Sequence, residues 1–124
     1  MSLERTPQQE RLTAIVRRFP QSKIVVIGDL VADQFLYGEI SRVSREAPVL
    51  ILRYERTETT PGGAANCACN LAALDARAVI IGVVGEDEAG NALLEKLGES
   101  DVERGGIVSS STVRTTSKVR VLAG

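Results

Sequence analysis

The apolar residues near the N-terminus recur with the period of an α-helix. Four of them stand at positions i, i+3, i+4 and i+7, namely Leu12, Ile15, Val16 and Phe19. Side chains with this spacing fall on one face of a helix. Thr6 and Pro7 are typical of a helix start, and Pro20 ends the pattern. The sequence therefore predicts one amphipathic helix over about 7–18.

Two short runs, 23–28 and 78–84, are almost entirely apolar. Helices are predicted over about 63–74 and 88–97, and a further strand around Val108. Apolar strands that alternate with helices are typical of an α/β domain with a mainly parallel sheet. In such a sheet we expect the two apolar strands to be buried on both faces.

Two other strand candidates, 49–58 and 117–122, carry charged residues at intervals. Burying those charges in the middle of a helix-covered sheet would be very costly. We therefore expect these two strands to pair in a separate, half-exposed sheet. The mixed polar segment 29–47 is predicted to be a loop.

Composition narrows the classes of function. The chain has 124 residues, enough for one domain, and 15 Lys and Arg against 16 Asp and Glu give a net charge of −1. This balance argues against nucleic acid or a membrane surface as partner. No apolar run approaches the roughly 20 residues of a membrane span. The polar N-terminus does not resemble a signal peptide, so a cytoplasmic protein is expected.

The histidine and cysteine content argues against several kinds of catalytic and metal site. The chain has no His, which excludes Ser-His-Asp triads and His-ligated zinc. Cys67 and Cys69 are two residues apart, which fits neither a C-x-x-C motif nor a zinc pair. We expect both to be small buried hydrophobic residues in a reducing compartment, and we predict no metal site.

Two carboxylates follow the first apolar strand, in Gly28-Asp29-Leu-Val-Ala-Asp33. In an open α/β sheet, ligands bind beyond the carboxyl ends of the strands. Asp29 and Asp33 are thus candidates to accept hydrogen bonds from a sugar diol or to hold a cation. A turn cap and a solvated side chain explain the pair equally well.

A glycine pair opens the predicted helix at Pro61-Gly62-Gly63-Ala-Ala-Asn66. Glycines let the backbone approach a ligand, and a helix N-terminus offers free N–H groups and a partial positive charge. Asn66 adds a donor and an acceptor. The motif is neither a P-loop nor G-x-G-x-x-G, and a plain turn into a helix is the alternative.

Together with Gly85-x-Asp87-x-x-Gly90, these two segments resemble the N-terminal part of the ribokinase-like (PfkB) sugar kinases. Two segments, Gly28 to Gly38 and Ser41-Arg-Val-Ser-Arg-Glu-Ala-Pro-Val49, resemble more narrowly the kinase domain of heptose-7-phosphate kinase/ADP-heptose synthase enzymes. The resemblance runs from about residue 22 to 124.

The resemblance implies a ribokinase-like α/β fold, with a mainly parallel sheet flanked by helices and a small β-sheet lid. Residues 1–124 would form the N-terminal part of one such domain, incomplete at its C-terminus. The core would comprise 1–47 and 61–110, and the lid strands about 48–60 and 112–124. Asp75 stands where the family signature usually has Gly, and Asp tolerates the left-handed geometry of a helix end.

The resemblance also implies a substrate site. Its expected residues are Asp33, Gly62, Gly63, Asn66, Asp29, Arg42, Lys118 and Arg120. In the family, the counterparts of Asp33, Gly62, Gly63 and Asn66 grip the sugar hydroxyls. Lys118 and Arg120 would meet a sugar phosphate, although a solvated strand face also explains them.

Family members continue into an Asp-Thr-x-Gly-Ala-Gly-Asp pattern with the catalytic Asp and most of the nucleotide site, and these 124 residues contain no such pattern. We therefore expect no catalytic residue in this chain and no turnover by it alone. ATP and Mg²⁺ are expected for the complete enzyme, and neither is expected to bind this fragment.

The resemblance implies an ATP-dependent carbohydrate kinase, with a heptose 7-phosphate phosphorylated at its anomeric hydroxyl. A non-catalytic sugar-binding or interaction domain is the alternative. A Rossmann nucleotide-binding protein is disfavoured because strand 23–28 lacks the usual glycine pattern after it. The expected partner is a sugar or sugar phosphate, and a homodimer through the exposed lid strands is a further expectation.

Overall fold

The computed structural model describes residues 6–124. Over this range the chain forms three α-helices, one short 3₁₀ helix and six strands. In chain order they are α1 (Pro7–Val16), the 3₁₀ helix (Phe19–Gln21), β1 (Lys23–Ile27), β2 (Leu30–Val43), β3 (Leu50–Gly63), α2 (Ala64–Ala73), β4 (Arg77–Gly85), α3 (Glu88–Glu99), β5 (Glu103–Ser110) and β6 (Thr116–Ala123).

Three strands form a parallel sheet in the order β1-β4-β5. Helix α2 connects β3 to β4, and α3 connects β4 to β5. This arrangement confirms the prediction of an α/β fold with parallel strands and flanking helices. The predicted positions of all three helices and of the strands at 23–28 and 78–84 are confirmed to within about two residues.

The core lies between this sheet and the two helices α2 and α3. Ala65 and Ala68 are fully buried on one face of α2, where their small side chains let the helix lie close to the sheet. Leu93 and Leu97 are fully buried on the corresponding face of α3 and belong to the same cluster as Ile80 of β4. The i, i+3 and i, i+4 spacings of these residues explain why one face of each helix is buried.

The other face of the sheet is open in residues 6–124. Val25 and Ile27 of β1 are 51% and 74% exposed, and Val83 and Val108 are also exposed. The prediction that strands 23–28 and 78–84 are buried on both faces is therefore wrong for the described chain. The apolar pattern identifies side chains suited to a core, but it does not show which of them a helix covers.

The second sheet has the order β3-β2-β6. It is separate from the sheet that holds β1 and β4, so the prediction of a distinct sheet for 49–58 and 117–122 is confirmed. The two strands do not pair with each other, however, because β2 lies between them. The prediction of a loop over 29–47 is thus wrong: residues 30–43 form a strand antiparallel to β3 and parallel to β6. The domain boundaries drawn between core and lid stay a prediction.

The remaining local predictions have mixed outcomes. Thr6 and Gln9 form the predicted capping box of α1. Asp75 has a φ of 64° just after α2, so it does adopt the left-handed geometry of a helix end. The expectation of two buried cysteines is wrong, since Cys67 is exposed and Cys69 is half-buried. Cys67 lies two residues from buried Ala65, which turns its side chain away from the core face.

No helix among the described residues is long and apolar enough to cross a membrane.

Candidate functional site

The two predicted ligand-binding segments lie side by side in the structure. The Asp29 carbonyl accepts a hydrogen bond from the Ala64 amide at 2.9 Å. Leu30 and Val31 at the start of β2 pair with Gly63 and Gly62 at the end of β3. The loop after β1 and the N-terminus of α2 therefore meet at one edge of the parallel sheet, where α/β proteins bind ligands.

The glycine pair has a steric reason in this geometry. Gly63 has a φ of 57°, which L side chains rarely adopt, and a Cβ there would lie 2.6 Å from the Asp29 carbonyl oxygen. A Cβ on Gly62 would collide with the Asp33 carboxylate. The two glycines thus let the backbone run directly beside Asp29 and Asp33.

Asp33 is held by a cation from another strand. Arg120 Nη1 lies 3.0 Å from Asp33 Oδ1, and the Asp33 side chain is only 22% exposed, against 51% for Arg120. Arg120 also lies over the Phe35 ring, 5.2 Å from its centroid. The pairing of β2 with β6 sets Asp33 opposite Lys118 and Phe35 opposite Arg120, which puts these side chains on one face of the sheet.

Asn66 and the N-terminus of α2 lie next to this group. The N-cap residue is Gly63, and no side chain of the described residues caps the helix. The Ala64 amide donates to the Asp29 carbonyl, and the N–H groups that follow it in the first turn of α2 can bind an acceptor. Asn66 lies in that turn and is exposed.

Asp29 is exposed beside a cavity of about 300 Å³ at the carboxyl ends of β1 and β4. The cavity is lined by apolar side chains of the open sheet face, by Asp29 from the loop after β1, and by polar residues just before and at the start of β6: Ile27, Ile81, Val83, Arg114 and Thr116. Asp29 thus has the glycine pair on one side and this cavity on the other.

Arg42 is the one expected site residue that lies away from the others. It pairs with Ile51 near the far end of β2, nine positions after Asp33. At about 3.3 Å per residue, that is roughly 30 Å along the strand. The structure brings together Asp29, Asp33, Gly62, Gly63, Asn66, Lys118 and Arg120, and it leaves Arg42 apart.

The sequence interpretation missed the aromatic residues on the Asp33 face. Arg56 lies 3.9 Å from the centroid of the Tyr37 ring, and Tyr37 Oη and Arg56 both donate to the Glu58 carboxylate. The alternation of Asp33, Phe35 and Tyr37 is the signal that identifies them, because alternate residues of a strand share a face.

Metal ligands of the usual kind are not grouped in this part of the chain. Among residues 6–124, no three His, Cys, Asp or Glu side chains lie close enough to hold a metal ion. The described residues thus offer no acidic cluster that fits Mg²⁺.

Comparison with known proteins supports one family. The family model described as pfkB family carbohydrate kinase matches residues 21–124. The Bifunctional protein HldE of Caulobacter sp. (strain K31) is 39% identical over 115 residues, which are 93% of this chain and 24% of that protein. The protein of the same name from Magnetococcus marinus is 41% identical over 113 residues, 91% of this chain and 23% of that protein. This chain therefore spans about a quarter of the length of these relatives.

Solved structures agree on the fold. The structure of Arabidopsis thaliana ribokinase complexed with ribose and ATP has a TM-score of 0.63 and 26% identity, covering 82% of this chain and 32% of that chain. A carbohydrate kinase from Agrobacterium tumefaciens has a TM-score of 0.64 and 24% identity, with the same coverage. With a family model that matches most of its length, this chain belongs to the pfkB family of carbohydrate kinases.

Proposed function

We propose that this chain forms the sugar-binding part of an ATP-dependent carbohydrate kinase. One observation carries the proposal: the Asp33 carboxylate, paired with Arg120, lies directly beside the Gly62-Gly63 backbone. A charged acceptor, a cation and a backbone without side chains, placed side by side, are suited to a hydroxyl-rich anionic ligand.

In the proposed complex, Asp33 accepts hydrogen bonds from sugar hydroxyls, and Asp29, beside the glycine pair, contributes a second carboxylate. The backbone at Gly62 and Gly63 approaches the sugar closely, because no Cβ stands between it and Asp33. Asn66 donates to and accepts from hydroxyls at the start of α2.

We propose a heptose 7-phosphate as the sugar, with its anomeric hydroxyl as the group phosphorylated. Lys118 and Arg120 supply two cations on the Asp33 face of the second sheet, as a phosphate requires. The likeness of the Ser41–Val49 segment to heptose kinases supports the same choice. Arg42 lies in that segment and would reach the ligand only if the far end of β2 approached it.

The phosphoryl transfer itself needs groups that we do not assign to this chain. Transfer of the ATP γ-phosphoryl group requires a base for the attacking hydroxyl and electrostatic stabilisation of the transferring charge. Asp33 is committed to Arg120 and Asp87 to Thr115. We therefore propose that the chain binds the sugar and that ATP and Mg²⁺ act with residues outside these 124.

We further propose a homodimer formed through the second sheet, in a cytoplasmic protein. Strands β3 and β6 are the edges of that sheet and have backbone groups available for pairing. Val119 and Val121 alternate with Lys118 and Arg120, face the opposite side of β6, and are 56% and 54% exposed. A second copy would cover these two side chains.

Calorimetry on the purified chain tests the sugar-binding role. Heptose 7-phosphate is titrated into the chain, into Asp33→Asn, and into the matched control Glu39→Gln, whose exposed carboxylate lies on the same strand. We expect binding that Asp33→Asn weakens about tenfold or more and Glu39→Gln leaves unchanged. Equal affinity in all three proteins would show that Asp33 does not contact the sugar. Binding without turnover, even with a complementing C-terminal piece, would favour a non-catalytic sugar-binding domain.

A further inference from the structure

The Asp87 carboxylate joins two parts of the chain that are 28 residues apart. It accepts a hydrogen bond from the Gly90 amide at 2.8 Å, as the N-cap of α3. It also accepts from the Thr115 amide at 2.9 Å and from the Thr115 hydroxyl at 2.7 Å. One side chain thus satisfies a helix end and the segment that leads into β6.

Thr115 completes this arrangement from the other side. Thr115 is only 8% exposed, and its hydroxyl oxygen accepts a hydrogen bond from the Gly85 amide at 2.9 Å. Among the described residues no buried side-chain nitrogen or oxygen lacks a partner, so this polar group is fully satisfied. A satisfied buried network holds its members in one geometry.

The two glycines of the third motif make room for these contacts. A Cβ on Gly85 would lie 2.6 Å from Asp87 Oδ2, and a Cβ on Gly90 would lie 2.7 Å from Thr115 Oγ1. The spacing Gly85-x-Asp87-x-x-Gly90 therefore fits a closed contact with Thr115 rather than a ligand. We call these four residues, Gly85, Asp87, Gly90 and Thr115, the Asp87–Thr115 cluster.

The position of the cluster gives it a consequence for the site. Thr115 immediately precedes β6, which pairs with β2 and is exposed along its whole length. A one-residue slip of β6 would turn Arg120 to the opposite face of the sheet. The start of an exposed edge strand needs an anchor if Arg120 is to remain at Asp33, and the cluster is attached to the core through α3.

We propose that Asp87 and Thr115 are positioning residues that fix the register of β6 and thereby hold Arg120 against Asp33. The proposal rests on the proposed function only in so far as Arg120 is taken to contact the sugar phosphate. The fixed register itself is a property of the fold and is testable without a ligand. The charged form of Asp87 is the one that holds Thr115, and these hydrogen bonds, with that from Gly90, keep the pKa of Asp87 below its ordinary value.

Asp87→Ser separates the two roles of Asp87. Serine remains a good N-cap for α3, but its short side chain cannot reach both the amide and the hydroxyl of Thr115. Thr115→Val removes the hydroxyl at nearly constant volume, and Thr115→Ser restores it. Glu86→Gln and Thr57→Val are the matched controls, since both are exposed residues of the same types outside the cluster and outside β6.

Hydrogen exchange of the backbone amides is the first measurement, made on the chain without ligand. We expect Asp87→Ser and Thr115→Val to raise exchange in β6 about tenfold while α3 and β4 keep their protection. Thr115→Ser and both controls should exchange as the unchanged chain does. Unchanged protection of β6 in Asp87→Ser would overturn the proposal. Equal loss of protection in β6, α3 and β4 would also overturn it, because the cluster would then be a general packing contact.

Affinity for heptose 7-phosphate is the second measurement, and it tests the link to Arg120. Asp87→Ser should weaken binding several-fold in the unchanged chain and have no effect in an Arg120→Met background, since the two changes act on one contact. Equal weakening in both backgrounds would overturn the link. If no variant bound the sugar phosphate, the proposed function would fail, and the exchange result would still decide the register proposal.

Discussion

Asp33 and Arg120 are 87 positions apart in the sequence, and their side chains meet at 3.0 Å. The contact joins β2 to β6, which are parallel neighbours in the second sheet. It gives the Asp33 carboxylate a fixed orientation beside Gly62. A charged acceptor with a cationic neighbour presents both kinds of partner that a sugar phosphate needs.

Loss of the Asp33 carboxylate should affect binding more than folding. We expect Asp33→Ala to weaken sugar binding by about 1.5–3 kcal/mol, the range for hydrogen bonds to a charged group. The Asp33–Arg120 pair is partly exposed, so the free energy of unfolding should change by only about 0–1 kcal/mol. Calorimetry with heptose 7-phosphate and urea unfolding measure the two effects. A large loss of stability with unchanged affinity would contradict this prediction.

Gly63 should tolerate no side chain. Gly63→Ala places a Cβ at a φ of 57° and 2.6 Å from the Asp29 carbonyl oxygen, so we expect a loss of about 1–3 kcal/mol in the free energy of unfolding. Gly105→Ala on β5 is the matched control, because a Cβ there meets no atom within 4 Å. Urea unfolding of both variants measures the difference. Equal stability of the two would show that Gly63 does not need its left-handed conformation.

Acid should destabilise the chain through Asp87. The hydrogen bonds from the Thr115 amide and hydroxyl and from the Gly90 amide lower its pKa in the folded state. As the pH falls, Asp87 is therefore protonated first in the unfolded chain, at about pH 3.9. The stabilisation is present above that pH and is lost as the pH falls through the lower folded value. The hydrogen bond from Arg77 also lowers the pKa of Glu103, so protonation of Glu103 likewise reduces the stability of the folded chain in acid.

Urea unfolding at a series of pH values separates the two carboxylates. Asp87→Asn should flatten the acid limb of the stability curve more than Glu103→Gln does, because the Arg77–Glu103 pair is exposed and screened by solvent. Identical acid limbs in Asp87→Asn and the unchanged chain would show that Asp87 does not couple protonation to folding.

The sequence patterns identified the parallel sheet correctly and missed one long strand. Apolar runs at β1 and β4 need only local information, because nearly every residue in them is suited to a core. In β2 the alternation of polar and apolar residues is interrupted by register shifts after Tyr37 and after Ile40. Such shifts break the period of two on which strand prediction depends, so residues 30–43 resembled a loop.

The part of the candidate site that lies at predicted strand ends and helix starts could be predicted from the sequence. Asp29 and Gly62-Gly63 lie at a strand end and a helix start, and the structure brings these segments together. The contact between Asp33 and Arg120 depends on the register of β2 against β6, which the sequence alone does not determine. The cap role of Asp87 is readable from its spacing to α3, but its bond to Thr115 is not, because the two residues lie 28 positions apart.

The chain should bind sugar phosphate without transferring a phosphoryl group. The family resemblance assigns the catalytic Asp and its glycine-rich loop to a pattern that these 124 residues do not contain. Asp87 is held by the Thr115 amide and hydroxyl, and Asp33, paired with Arg120, is assigned to binding the sugar hydroxyls rather than to deprotonating one. A coupled assay of ADP release with ATP, Mg²⁺ and heptose 7-phosphate should therefore give no sugar-dependent signal above the blank. Sugar-dependent ADP release by the purified chain would contradict the prediction and would show that a catalytic base lies within it.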